Sequence, residues 1–179
     1  MRPWKTLARR VVYAYLPWLE VALEKVELPN GRVIDEFIQL RGRDFVVVVP
    51  ITANAEVVTE RSYKHGPRRV SLALPAGLLE PGEDPASAAR RELLEETGYE
   101  ATRWESLGSF VVDSNYGLNT EHVFVAHDAT KVREPRSGDL EEIEIVLKSR
   151  KELIRALASG EIAQLSSAAA IGIAFVMER

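Results

Sequence analysis

Near the start of the chain Leu19, Val21 and Leu23 alternate with Glu20, Ala22 and Glu24, the period of a half-buried strand. Pro29-Asn30-Gly31 is a turn signal, because Asn-Gly accepts positive φ, and a second strand runs from Arg32 to about Leu40. The first 42 or so residues therefore read as strands. Two or three strands alone have little independent core, so this element is expected to pack on the main domain or on another subunit. Residues 45–49 form an unbroken β-branched and aromatic run, as in a buried strand, and residues 55–61 and 70–74 read as two more. Asp84-Pro85 opens a helix, with Asp84 as N-cap and Pro85 at the first helical position, and Gly98 closes it. Strands are predicted at 104–110, 122–126 and 143–147. Ser149-Arg150-Lys151-Glu152 is a capping box for a second helix ending before Gly160, and a third helix covers about 166–177. Strands interleaved with helices give a layered α/β domain, divided as 1–42 (an antiparallel β element) and 43–179 (the main domain).

Composition narrows the function classes. The chain has 179 residues, 46% hydrophobic and 28% charged, the profile of one globular domain with a small appended element. Its net charge of −4 argues against a nucleic-acid partner held by a broad basic face. A phosphate-handling enzyme of this charge needs metal ions or local Lys and Arg. Cysteine is absent, which excludes disulfides, thiolate metal sites and cysteine nucleophiles. The apolar stretch 168–177 is shorter than the roughly 20 residues a membrane helix needs, and Met1-Arg2-Pro3-Trp4-Lys5 is not followed by an apolar signal region. No membrane association and a cytoplasmic location are the expectation.

The informative stretch is 77–99. Gly77 is followed after five residues by Glu83, and after seven more by Arg91-Glu92-Leu93-Leu94-Glu95-Glu96-Thr97-Gly98. At 100° per residue Glu92, Glu95 and Glu96 fall within about a 100° arc of one helix, and Leu93, Ala86 and Ala89 form the neighbouring face, able to pack on a sheet. Like charges so spaced repel by a few tenths of a kcal/mol per pair on an exposed helix. They become favourable when hard divalent cations such as Mg²⁺ or Mn²⁺ sit between them. Arg91, one turn before Glu95, can pair with it. The competing account is a solvated acidic helix face with a surface ion pair, and the register with Gly77, Glu83 and Leu74-Pro75-Ala76 argues against it.

The stretch resembles the Nudix box, G-x5-E-x7-R-E-U-x-E-E-x-G-U, with every fixed Gly, Glu and Arg in place and Tyr99 at the last apolar position as the one mild departure. The resemblance implies an α/β/α sandwich around a mixed sheet, with the N-terminal antiparallel β element added. It implies metal ligation by Glu92, Glu96 and the Ala76 carbonyl with help from Glu95, and an orienting role for Glu83 and Arg91. Gly77, Glu83 and Gly98 are structural in the motif.

The flanks resemble the ADP-ribose and nucleoside diphosphate sugar pyrophosphatase branch: Leu74-Pro75-Ala76-Gly77, Glu96-Thr97-Gly98-Tyr99, the N-terminal strands, and Tyr63-Lys64-His65 near the Q-Y-R element. Three positions depart from that branch. Ala73 stands where Glu is usual, Ser62 and Lys64 replace Gln and Arg, and the loop Asp113-Ser114-Asn115-Tyr116-Gly117 lacks the usual Pro. These changes weaken ADP-ribose as the particular substrate and leave nucleoside diphosphate sugars as a class.

In this branch an acidic loop supplies the base, which places Glu141 first and Glu142 second within Gly138-Asp139-Leu140-Glu141-Glu142. Trp18, then Phe37, are the aromatics offered to a nucleobase, and Lys64 and Tyr116 are pocket candidates. Trp18 reads equally as a partly buried β-element residue. His65, His122 and His127 have no mutual metal-ligand spacing. The expected activity is Mg²⁺-dependent (or Mn²⁺-dependent) hydrolysis of a nucleoside diphosphate sugar such as ADP-ribose, by a homodimer joined through the N-terminal β element. The alternatives are a Nudix hydrolase of nucleoside triphosphates or other nucleotide pyrophosphates, and a nucleotide-sensing domain without turnover.

Overall fold

A computed structural model describes residues 1–136 and 142–177. The chain forms β1 (Lys5–Tyr15), β2 (Leu19–Glu27), β3 (Val33–Arg41), β4 (Phe45–Ile51), β5 (Glu56–Lys64), β6 (Arg69–Ala73), β7 (Ala76–Leu78), α1 (Pro85–Glu92), a π-helical turn (Leu93–Thr97), β8 (Tyr99–Glu100), β9 (Arg103–Val112), β10 (Asn119–His127), β11 (Thr130–Lys131), β12 (Glu144–Ser149), α2 (Arg150–Ser159) and α3 (Leu165–Met177). It divides into two compact units, residues 1–44 with 110–120, and residues 45–109 with 121–179.

In the first unit β1, β2 and β3 make an antiparallel sheet. The alternation read in β2 holds, but the side it buries is reversed. Glu20, Ala22 and Val26 are the buried residues, while Leu19, Val21 and Leu23 are only half-buried. The reversal has an electrostatic cause: Arg9 donates to Glu20 Oε1 at 2.5 Å and Arg41 to Oε2 at 3.2 Å, so the carboxylate is compensated where it is buried. Residues directly paired across strands share a face. The opposite face therefore gathers Tyr13, Val21 and Leu40, Tyr15 and Leu19, and Leu23 and Ile38.

The second unit centres on a mixed sheet in the order β12-β5-β4-β10-β9, with β6 beside β5 and β7 beside β4. The β4–β10 pair is parallel, from Phe45 opposite Glu121 to Ile51 opposite His127. Alternate residues of a strand point to opposite faces, and both faces of β4 are covered. Val47 and Val49 pack with Leu72, Leu74, Val123, Leu153 and Ile171 under α2 and α3. Val46 and Val48 pack with Ala88, Ala89, Leu93 and Phe124 under α1. Helices on both faces give the expected α/β/α layering. Among the described residues no helix is long and apolar enough to cross a membrane.

One acid sits badly in this core. Glu121 is 7% exposed, and its Oε1 has no hydrogen-bond partner among the described residues. Burial pushes its carboxyl above the ordinary carboxylate range. The folded state then holds a proton over a pH window in which the unfolded chain has released it, so stability falls as pH rises through that window. Glu121→Gln is therefore expected to raise Tm at neutral pH, by about 2–4 °C per kcal/mol gained, with the advantage vanishing below the ordinary carboxylate range. Thermal melts from pH 4 to pH 8 check this, and equal Tm values at neutral pH would refute it.

Candidate active site

The site is built where the β6–β7 connection meets the C-terminal end of α1. Leu74 N–H leaves the strand ladder and donates to the buried Ser167 Oγ at 3.1 Å, and the Pro75 carbonyl accepts from Val48 N–H at 2.9 Å. Both bonds fix the Leu74-Pro75-Ala76-Gly77 run against the sheet. β7 then pairs with β4, placing Gly77 opposite Val46 on the face that α1 covers.

α1 starts as its sequence dictates. Asp84 Oδ1 accepts from Ala86 and Ser87 N–H at 3.0 and 3.1 Å, and Pro85 follows the cap. Ala88, Ala89 and Leu93 form its buried face. Ala86, expected there, is exposed, because the axis places the 88–89–93 stripe and not 86 over the sheet. After Glu92 the α-helix widens into the π-helical turn, a feature that often marks functional sites and that the ideal 100° spacing did not anticipate. Thr97 Oγ1 donates to the Leu93 carbonyl at 2.5 Å, and Gly98 N–H to the Leu94 carbonyl at 3.0 Å. Gly98 has φ +75°, and a Cβ there would strike the Arg133 carbonyl, which accounts for glycine at that position.

Arg91 organises the carboxylates. Its Nε and Nη2 donate to the two oxygens of Glu83 at 2.9 and 2.8 Å, Nη1 donates to Glu92 at 2.6 Å and Glu95 at 3.3 Å, and Nη2 reaches the Leu78 carbonyl at 3.1 Å. The predicted Arg91–Glu95 pair is present, but Glu83 is the closer-held, two-pronged partner. Its hydrogen bonds keep the Glu83 carboxyl below the ordinary range, and Glu83 in turn raises the guanidinium's affinity for its proton. Glu96 is buried and accepts from Ala76 N–H at 2.8 Å. Gly77 lies against Glu92 so closely that a Cβ would overlap the carboxyl group.

The structure thus brings together Ala76, Gly77, Glu83, Arg91, Glu92, Glu95 and Glu96. Among the described residues no three acidic or histidine side chains already converge as a closed ligand set; Glu92 is turned to Arg91 and Glu96 to Ala76 N–H. The donor chemistry fits a hard divalent cation: carboxylates from Glu92, Glu95 and Glu96 and a backbone carbonyl at Ala76, all oxygen.

The other candidates are dispersed. Trp18 is 54% exposed, in the turn between β1 and β2 rather than in a strand, with the Arg43 guanidinium 5.7 Å from its ring. Phe37 meets Trp4 edge-on at 5.4 Å. Tyr116 is exposed in a turn closed by Asp113 Oδ1. These three belong to the first unit, and Lys64, at the end of β5, belongs to the second with the box. Glu142 is exposed and lines a cavity of about 590 Å³ with Arg61, Ser62, Tyr63 and Val70. Glu141 lies outside the described residues. Sequence reasoning missed a backbone tie to the box: Arg136 N–H donates to the Glu95 carbonyl at 2.7 Å, a contact without a side-chain signature. The histidines bond locally, His122 to Ser109 at 2.8 Å and His127 to Glu105 at 3.4 Å.

Residues 42–164 match the NUDIX domain, and residues 4–37 match the nucleoside diphosphate sugar hydrolase N-terminal domain. The chain is 29% identical to an ADP-ribose pyrophosphatase of Bacillus subtilis (strain 168), covering 93% of this chain and 90% of that protein. It is 33% identical to a methanol dehydrogenase activator of Bacillus methanolicus over 76% of each. A solved ADP compounds hydrolase superposes with a TM-score of 0.82 at 22% identity, over 98% of this chain and 94% of the other.

Two substitutions test the geometry. Gly77→Ala is expected to displace Glu92 and lower activity by at least about a hundredfold, since misplacing one group by about 1 Å costs that much. Arg91→Gln is expected to cost about 2 kcal/mol, less than a fully buried pair because the side chain is 23% exposed, and to lower Tm by roughly 4–8 °C. Arg90→Gln, on the adjacent position, removes only a cation–π contact with Trp104 at 4.8 Å and is expected to lower Tm by no more than about half as much; equal losses from both would refute the clamp. With its box held in this register inside a matched domain of residues 42–164, the chain belongs to the Nudix family.

Proposed function

We propose that this chain hydrolyses the pyrophosphate bond of a nucleoside diphosphate sugar such as ADP-ribose, giving a nucleoside monophosphate and a sugar phosphate. The observation that carries the reading is the intact box, with Arg91 gripping Glu83, Glu92 and Glu95 while Ala76 N–H holds Glu96. The N-terminal match to the nucleoside diphosphate sugar hydrolases and the similarity to an ADP-ribose pyrophosphatase support the substrate class.

Nudix enzymes generally use divalent metal ions; Glu92, Glu95, Glu96 and the Ala76 carbonyl would hold Mg²⁺ (with Mn²⁺ as substitute), which would supply neutralisation of the diphosphate charge and would make water a stronger acid. The chain's own part is positional. Gly77 gives Glu92 room, and Arg91 and Glu83 keep the carboxylates from splaying under mutual repulsion. Glu141, or Glu142 beside it, takes the proton of the attacking water. The water oxygen bonds to one phosphorus, and the bond from that phosphorus to the bridging oxygen breaks. Arg136, five residues before Glu141 in sequence, donates its N–H to the Glu95 carbonyl. Trp18 and Phe37 offer flat faces to a nucleobase, and Lys64 and Tyr116 offer polar contacts to the substrate.

The working unit in this reading is a homodimer in the cytoplasm. The half-exposed face of Tyr13, Tyr15, Val21, Leu23, Ile38 and Leu40 is the surface offered to a second copy, since an apolar sheet face left in water favours association.

Incubation with Mg²⁺ and ADP-ribose, GDP-mannose, UDP-glucose, a dinucleoside polyphosphate or dGTP is expected to release monophosphate products from a nucleotide sugar, abolished by chelator. Glu96→Gln is expected to lower the rate by roughly a thousandfold or more; a loss under about tenfold, or turnover of the triphosphate alone, would refute the assignment. In sedimentation velocity the wild-type chain is expected to run as a dimer and Tyr13→Glu/Ile38→Glu as a monomer. A monomeric wild type would refute the dimer.

A further inference from the structure

The sheet face beneath α1 carries a buried carboxylate that the box does not include. Its orientation follows from pairing. Val57 on β5 lies opposite Ile51 and packs in the core under α2 and α3. Alternation then turns Val58, Glu60 and Ser62 to the other face, the face of Val46 and Gly77 against which Glu92 rests. Glu60 is 2% exposed.

In register, Glu60 lies directly opposite Ala73 on β6. Three residues beyond Ala73 is Ala76, whose N–H holds Glu96, and next is Gly77 against Glu92. Glu60 is therefore placed across the strand pair from the start of the run that positions two box glutamates. Ser62, two residues on and on the same face, is also 2% exposed, and its Oγ has no hydrogen-bond partner among the described residues. A hydroxyl left unspent in a buried position points to a polar guest on this face.

Ala73 is also the position at which the sequence departs from the glutamate usual in the related branch. Directly opposed residues in an antiparallel pair have Cβ atoms about 4.5–5.5 Å apart, so Glu side chains launched from the two positions can converge on common ground between them. A carboxylate launched from position 60 can thus fill the volume of one launched from position 73.

We propose that Glu60 is a further anionic group of the cation site formed by the box, delivered from β5 across the strand pair from Ala73. This rests on the metal-dependent reading above. The charge belongs to the site, not to the core, and what matters is its presence between the two strands, whichever strand carries it.

The test is Mn²⁺ binding to the full chain without substrate, followed by the electron paramagnetic resonance signal of free Mn²⁺, with folding checked by circular dichroism. Glu60→Gln is expected to bind Mn²⁺ at least about tenfold more weakly, as losses of groups that support metal ligands do. Glu60→Ala/Ala73→Glu is expected to return within about threefold of wild type, whereas Glu60→Ala/Ala73→Gln is not. Glu96→Gln separates the two levels of the argument. If Glu96→Gln loses Mn²⁺ and Glu60→Gln does not, the inference about Glu60 is overturned and the box reading stands. If neither loses it, both are overturned. Should Glu60→Gln fail to fold, equal Mn²⁺ affinity of the two position-73 variants would overturn the proposal.

Discussion

Everything in the site depends on one guanidinium. Arg91 spends its donors on Glu83, Glu92, Glu95 and the Leu78 carbonyl, and so ties together β7, the loop after it, α1 and the π-helical turn. Glu83 also accepts from Glu80 N–H at 2.9 Å, which closes the loop on itself. The planar fork is what makes this possible: its Nε–Nη2 edge grips both Glu83 oxygens while Nη1 reaches along the helix. A lysine would supply the charge but not the two-pronged hold. The arrangement also solves an electrostatic problem. Four glutamates within fourteen residues would repel one another, and a single cation at their centre lets them stay close without cancelling the negative field that a divalent ion needs.

The π-helical turn is the second constraint, and it acts on direction. Inserting the wider turn after Glu92 re-aims Glu95 and Glu96 relative to an ideal helix. Glu96 is thereby buried against Ala76 N–H while Glu95 stays at the rim beside Arg91. The turn is stabilised where an α-helix would have ended, by Thr97 bonding back to the Leu93 carbonyl and by Gly98 in the left-handed region. The segment that follows β11 then bonds to the same turn, with Val132 N–H to the Gly98 carbonyl and Arg136 N–H to the Glu95 carbonyl. The backbone carbonyls exposed by the end of the helix thus become anchor points for residues 132–136.

Much of this was legible in the sequence because the signals were local. Asp84-Pro85 and Gly98 marked the limits of the helical segment, Ser149 and Glu152 capped α2 as their spacing required, and the β-branched run at β4 was a buried strand. The box glutamates and Arg91 were recognisable from spacing alone. What was not legible depended on contacts distant in sequence. The short β7 has no strand-like pattern of its own and exists because Val46 and Val47 pair with Gly77 and Ala76. The choice of Ala88 over Ala86 for the core depends on where the helix lies on the sheet. The place of Glu60 opposite Ala73 required the β5–β6 register.

The N-terminal sheet shows how a correct period can carry the wrong face. Hydrophobicity alone puts Leu19, Val21 and Leu23 inward and Glu20 outward, because an unpaired buried carboxylate costs several kcal/mol. Arg9 and Arg41 reverse that preference: they come from strands on either side of β2, and the hydrogen bond from Arg9 first, then the two positive charges, hold the Glu20 carboxyl below the ordinary range. Once the acid is compensated, small Ala22 can bury beside it. The larger apolar residues of β2 then line up with Tyr13, Tyr15, Ile38 and Leu40 on the other side. The polar network and the exposed apolar face are thus one feature. A sheet that turns its charges inward has its apolar side left over.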